Sequence, residues 1–198
     1  MAAAMREAKS LLRREMKQRL AALSSEEKAQ QSEIILKKLV SHPVYRSSQR
    51  ISVYLSTADE VSTEGILNHM FANKKKCFVP QYIGPRMDML RLLSMEDYSN
   101  LPLTKWNIKQ PAEGDQREEA LATGGLDLII VPGLAFNLGG DRLGKGKGYY
   151  DKYQKRCAEH PSGKPKTIAL AFKEQMCATV PVSEDDVTID HVIHGDTQ

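Results

Sequence analysis

"LDLIIVPGLAF", residues 126–136, is a run that is apolar apart from Asp127 and a Pro-Gly pair, and its reading decides the fold. Alternating polar and apolar residues would mark a half-exposed strand. A continuous run bounded by turn residues marks a strand covered on both faces, as at the centre of a parallel sheet. Working outward, β-branched and aromatic runs recur at "RISVYLS" (50–56), "CFVPQYI" (77–83), "MDMLRLLS" (87–94) and "TIALAF" (167–172). Helical stretches lie between some of them, at "STEGILNHMFANKK" (62–75) and from Tyr149 to before Pro161. This alternation predicts an α/β fold: a largely parallel central sheet flanked by helices, in a single three-layer domain over residues 1–198. "NLPLTKWNIKQPAEGD" (100–115), with its prolines, asparagines and lone tryptophan, predicts a long irregular connection. No internal repeat is visible.

The first 42 residues predict a helical pair packed on this core. Leu12, Met16 and Leu20 recur at four-residue steps among lysines and arginines, giving one buried stripe. Ser24 and Glu27 have capping-box spacing before a second helix whose apolar face is Ile34, Ile35, Leu39 and Val40, with Pro43 marking its end. A chain of 198 residues is long enough to bury a core without disulfides. Its three cysteines, Cys77, Cys157 and Cys177, show neither C-x-x-C nor metal spacing, which predicts reduced, mostly buried thiols. A net charge of +3 spread over 28 basic and 25 acidic residues gives no strong bias toward nucleic acid or membrane. The N-terminus is basic but has no apolar signal core, and its amphipathic pattern runs on unbroken. Cytoplasm is therefore favoured over a mitochondrial leader.

In open α/β sheets ligands gather beyond the C-terminal strand ends. Three such ends carry polar or special residues: "STADE" (56–60), "PGLAFNLGGDRLGKGKG" (132–148) and "KEQ" (173–175). The sharpest feature is "DRLGKGKGYYDKY" (141–153), with glycines at 144, 146 and 148 leading into a helix start. It is neither a Walker A loop nor G-x-G-x-x-G. Its backbone can form an anion nest, with Arg142, Lys145 and Lys147 supplying charge around a polyphosphate and the helix N-terminus adding its dipole. Asp151 suits either the helix macrodipole or a magnesium ion, and Asp185, Asp186 or Asp190 in "SEDDVTID" could complete a hydrated magnesium site. Glu60, with Asp59 as its rival, is placed to pair with donors on a heterocycle or to serve a nearby helix cap. Trp106 could stack on a flat ring or fill the core. The five histidines have no metal spacing.

Together with these features, "AKSLLR" (8–13), "ISVYLSTADEVSTEGI" (51–66), "WNIKQPAEGDQREEALATGGLDLI" (106–129), "RLGKGKGYYD" (142–151) and "LAFKEQMCATVPVSEDDVTID" (170–190) resemble the 5-formyltetrahydrofolate cyclo-ligases, also called methenyltetrahydrofolate synthetases, of vertebrate type. The resemblance runs over nearly the whole chain. It implies a monomeric enzyme that uses ATP and magnesium to close 5-formyltetrahydrofolate into 5,10-methenyltetrahydrofolate, releasing ADP and phosphate. By that pattern Lys9, Arg13 and the segment Arg142, Leu143, Gly144, Lys145, Gly146, Lys147, Gly148, Tyr149 and Tyr150 would bind ATP. Leu55, Glu60 and residues 145–149 would hold the folate, with Trp106 added as a stacking candidate. Asp151 and Asp186 would bind magnesium, and Lys145, Lys147 and Tyr150 are the candidate catalytic side chains. Two positions depart from the pattern: Lys145 stands where arginine is common, and Asn137 where aspartate is usual. Two rival readings are a sugar-phosphate isomerase or coenzyme A transferase-like enzyme without nucleotide, and a basic RNA-binding module.

Overall fold

A computed structural model describes residues 2–197. Three helices open the chain: α1 (Ala2–Ala22), α2 (Ser25–Ser41) and α3 (Pro43–Ser47). The Ser24 hydroxyl accepts the Glu27 N–H at 3.1 Å while the Glu27 carboxylate accepts the Ser24 N–H at 2.8 Å, so the expected capping box starts α2. His42 ends α2 and caps α3, whose first residue is Pro43, so the proline both stops one helix and begins the next. Met16, Leu20, Ile35 and Leu39 carry these helices into the core.

The remaining elements are β1 (Arg50–Val53), α4 (Glu64–Ala72), β2 (Lys76–Ile83), β3 (Arg86–Leu92), α5 (Met95–Asn100), β4 (Leu128–Val131), β5 (Ala135–Phe136), β6 (Arg142–Leu143), α6 (Tyr149–Ala158), β7 (Lys166–Ala171) and β8 (His191–His194). Six strands form one sheet in the order β3-β2-β1-β4-β7-β8. All neighbours are parallel except β2 and β3, which make an antiparallel hairpin with Gly84 at its turn, φ +55°. All four residues of β4 are buried, as a strand covered on both faces requires.

Helix α4 carries the chain from β1 outward to β2, and α6 carries it from β4 the opposite way to β7. Right-handed crossovers travelling in opposite directions place these helices on opposite faces. The direction reverses between β1 and β4. The crevice beyond their C-terminal ends is therefore where a ligand site belongs.

Several expectations need correction. The run 126–136 is two strands: Pro132 cannot donate to the ladder and ends β4, and β5 then leaves the sheet to pair with β6. The strand predicted at 50–56 stops at Val53. The strand predicted at 87–94 is an antiparallel edge. α3, α5 and β8 were not foreseen, because each spans six residues or fewer and shows no period of its own. Cys77 and Cys157 are buried and Cys177 is half-buried, all as thiols. Among the described residues no helix is long and apolar enough to cross a membrane.

Candidate functional site

A cleft of about 600 Å³ opens at the β1/β4 crevice. Its walls come from α1, the loop after β1, residues 132–133 after β4, the glycine loop, the segment around Trp106, and residues 183–186 after β7. Lys9, Arg13, Leu55, Glu60, Trp106, every residue from 142 to 151, and Asp186 all line it.

The glycine loop owes its shape to two left-handed positions. Gly146 has φ +104° and Gly148, the N-cap of α6, has φ +67°. At these angles an L side chain is strained. Gly144 has ordinary φ, and a Cβ there would lie 3.0 Å from Nη1 of the Arg142 side chain. The first-turn amides of α6 have no partners within the helix. Arg13 Nε donates to the Gly144 carbonyl at 2.9 Å, tying α1 to the loop.

Each carboxylate of the cleft is held by a cation. Asp151 accepts Arg142 Nη2 at 2.9 Å on one oxygen and the Val187 N–H at 3.1 Å on the other. Asp186 takes Lys9 Nζ together with the Ser183 N–H and hydroxyl. Burial pushes its pKa up, but the bonds from Lys9 and Ser183 outweigh this and hold it below the usual carboxylate range. Glu60 accepts Lys145 Nζ at 2.7 Å on one oxygen, and the Thr57 N–H and hydroxyl at 2.9 and 3.1 Å on the other. Asp59, its rival, points away to Lys28 and is 73% exposed.

The cleft also has an aromatic wall. Tyr82 lies 4.9 Å from the Tyr149 ring, and the Tyr149 hydroxyl donates to the Gly84 carbonyl at 2.7 Å. Burial pushes the Tyr82 phenol up to about 12 and Tyr54 and Tyr150 well above 10, so all three stay protonated. The buried Tyr150 hydroxyl makes no hydrogen bond of normal geometry, although the Tyr82 hydroxyl is its neighbour. Trp106 is 69% exposed at the cleft mouth, under the Lys105 ammonium, which excludes the core-filling reading.

Other candidates fall outside the cleft or at its edge. Asp190 is consumed by the N–H and hydroxyl of Thr167, between β7 and the start of β8. Asp185 is 98% exposed beside Lys155. "KEQ" (173–175) does not reach the cleft; Gln175 instead bonds the carbonyls of Gly133 and Leu134. Asn137 closes the β5–β6 turn on Asp141. Among the described residues no three His, Cys, Asp or Glu cluster as metal ligands. Asp151 and Asp186 still suit a hydrated magnesium ion, which needs only one or two carboxylates and takes its other ligands from water and phosphate. Sequence reasoning missed Tyr54, Tyr82, Ile108, Gln110 and Ser183, which also line the cleft. They come from strand ends and an irregular segment with no motif, so only the topology brings them together.

Residues 5–195 match the 5-formyltetrahydrofolate cyclo-ligase family. The chain belongs to that family. A mouse cyclo-ligase is 54% identical over 192 residues, covering 96% of this chain and 95% of the relative. A probable cyclo-ligase of Caenorhabditis elegans is 40% identical, covering 98% and 96%. The solved 5,10-methenyltetrahydrofolate synthetase of Aquifex aeolicus superposes with a TM-score of 0.78 at 28% identity, over 96% of this chain and 90% of that one. The chain is thus a cyclo-ligase-family enzyme on an α/β scaffold, and the nucleotide-free isomerase or transferase reading and the RNA-module reading give way.

Proposed function

We propose that the protein closes 5-formyltetrahydrofolate into 5,10-methenyltetrahydrofolate at the expense of ATP, with magnesium. The observation that carries this reading is one cleft that combines a cationic glycine loop at a helix start with an aromatic wall. The glycine loop, the α6 N-terminus, Lys9 and Arg13 suit a polyphosphate. Leu55, Tyr54, Tyr82 and Trp106, with the Glu60 carboxylate among them, suit a flat heterocycle carrying N–H donors.

The oxygen of an N-formyl group is a poor leaving group. The terminal phosphoryl of ATP moves onto that oxygen, nitrogen 10 attacks the activated carbon and loses its proton, and the carbon–oxygen bond breaks to release phosphate. Such a transfer depends on alignment and charge neutralisation, so no side-chain nucleophile is required. Lys145 and Lys147 balance charge on the transferred group. The Tyr150 hydroxyl keeps its proton at neutral pH, so it can serve as a hydrogen-bond donor and not as a base. Asp151 and Asp186 would hold the magnesium ion, which shields phosphate charge.

Helix α1 supplies Met16 and Leu20 to the core and Lys9 and Arg13 to the cleft, so it is an integral element of the fold. The phosphorylation step has a direct test. With oxygen-18 in the formyl group, the released phosphate is expected to carry the label, and unlabelled phosphate would rule the step out.

A further inference from the structure

The cations beside the two proposed metal carboxylates differ in how firmly they are held. Arg142 is 5% exposed and is pinned by the Pro132 carbonyl at 3.0 Å as well as by Asp151, so it stays in place whatever binds. Lys9 reaches Asp186 from α1 on a flexible four-carbon stem, and its ammonium also contacts the Ser183 hydroxyl at 3.1 Å. All three donors to Asp186 converge on Oδ2, and its Oδ1 makes no hydrogen bond among the described residues. The carboxylate is therefore open to a metal on one oxygen while a positive charge sits on the other.

From this geometry we propose that Lys9 is a specificity residue. It neutralises Asp186 in the empty cleft, so the site rejects a free divalent cation and accepts one only together with a polyphosphate. The inference rests on the reading of Asp151 and Asp186 as the metal carboxylates. Before any ligand arrives, the charges of Asp151, Asp186, Arg142 and Lys9 cancel. A lone divalent cation would add an unbalanced double charge a few ångströms from the Lys9 ammonium. A polyphosphate reverses this: its oxygens draw Lys9 off Asp186, since both lie on the same cleft, and the freed carboxylate then faces the metal. Metal and nucleotide binding thereby strengthen each other by the same factor.

Manganese, a paramagnetic stand-in, makes this measurable without turnover. Its binding to the full chain is followed by electron paramagnetic resonance, alone and with a non-hydrolysable ATP analogue. The parent is expected to bind free manganese weakly and at least tenfold more tightly with the analogue. Lys9→Met, or Lys9→Gln should the first variant fold poorly, is expected to bind free manganese about tenfold more tightly than the parent. Lys9→Arg is expected to behave as the parent does, and adding Asp186→Asn to Lys9→Met is expected to abolish the gain. Unchanged free-manganese affinity in folded Lys9→Met overturns the proposal, and it does so alone if Asp151→Asn and Asp186→Asn still weaken binding with the analogue. If those two substitutions leave that binding intact, the metal assignment itself fails and takes the proposal with it.

Discussion

Gly146 and Gly144 lie two residues apart, yet the backbone asks different things of them. At Gly146 the nearest heavy atom to an added methyl would be Arg13 Cζ at 3.6 Å, an ordinary contact, so conformation and not space forbids a side chain. Forcing φ +104° on alanine costs about 1–2 kcal/mol, or a shift of the loop. Gly146→Ala is expected to weaken ATP binding and to lower the melting temperature by only about 2–8 °C, whereas Gly144→Ala keeps an ordinary backbone and instead crowds the pinned Arg142 Nη1, so its cost falls on the Arg142 bonds to Pro132 and Asp151. Equal ATP affinity in Gly146→Ala and parent would show the loop to be a linker. This distinction was invisible in sequence, where the glycines look equivalent. So was the choice between Glu60 and Asp59: adjacent carboxylates differ only because one folds back on Thr57 and the other leans out to Lys28. Lys145 offers one ammonium to Glu60, where a guanidinium would offer a fork. Glu60→Gln is expected to raise the KM for the folate severalfold with the KM for ATP little changed; equal effects on both would reassign it to the nucleotide.

At the scale of elements, the sequence showed which segments are helix or strand wherever a period ran long enough. α1 and α2 were legible for that reason, and the buried strands β4 and β7 from continuous apolar runs instead. The hidden part was pairing. Nothing in "MDMLRLLS" says that it folds back antiparallel, since that depends on the short turn at Gly84, and the apolar run 126–136 hides a break that only the missing Pro132 N–H explains. Pairing at this edge is secured by Asp97, at the start of α5, which accepts Arg117 through both oxygens at 2.7 and 2.8 Å and the Leu93 N–H at 2.9 Å. The Arg117 bond, with help from Leu93 and against the opposing effect of burial, holds the Asp97 carboxyl below its usual range. A depressed folded pKa gives stability that is fully present above the unfolded value, about 3.9, and is lost as pH falls through the folded one. Asp97→Asn is therefore expected to cost about 1–3 kcal/mol at pH 7. The difference should shrink progressively below about pH 3.9 in denaturant melts; a difference constant with pH would assign the loss to packing.

Across the whole molecule, the site exists because chain direction reverses between β1 and β4 while α1 returns over the opening. Residues separated by more than 170 positions, Lys9 and Asp186, meet there. The fold class followed from the rhythm of strands and helices, and the cleft residues from their resemblance to a family. The aromatic wall built by Tyr54 and Tyr82 needed the topology. Deleting residues 2–22 is expected to remove ATP-dependent thermal stabilisation and to destabilise the chain through the loss of Met16 and Leu20; retained stabilisation by ATP would detach α1 from the site. The most direct measurement is the growth of the methenyl-folate absorbance band when the folded protein is given 5-formyltetrahydrofolate. We expect growth only when ATP and magnesium are both present, with one ADP formed per methenyl product. A flat trace with the complete mixture, or equal growth without ATP, would contradict the proposed ring closure.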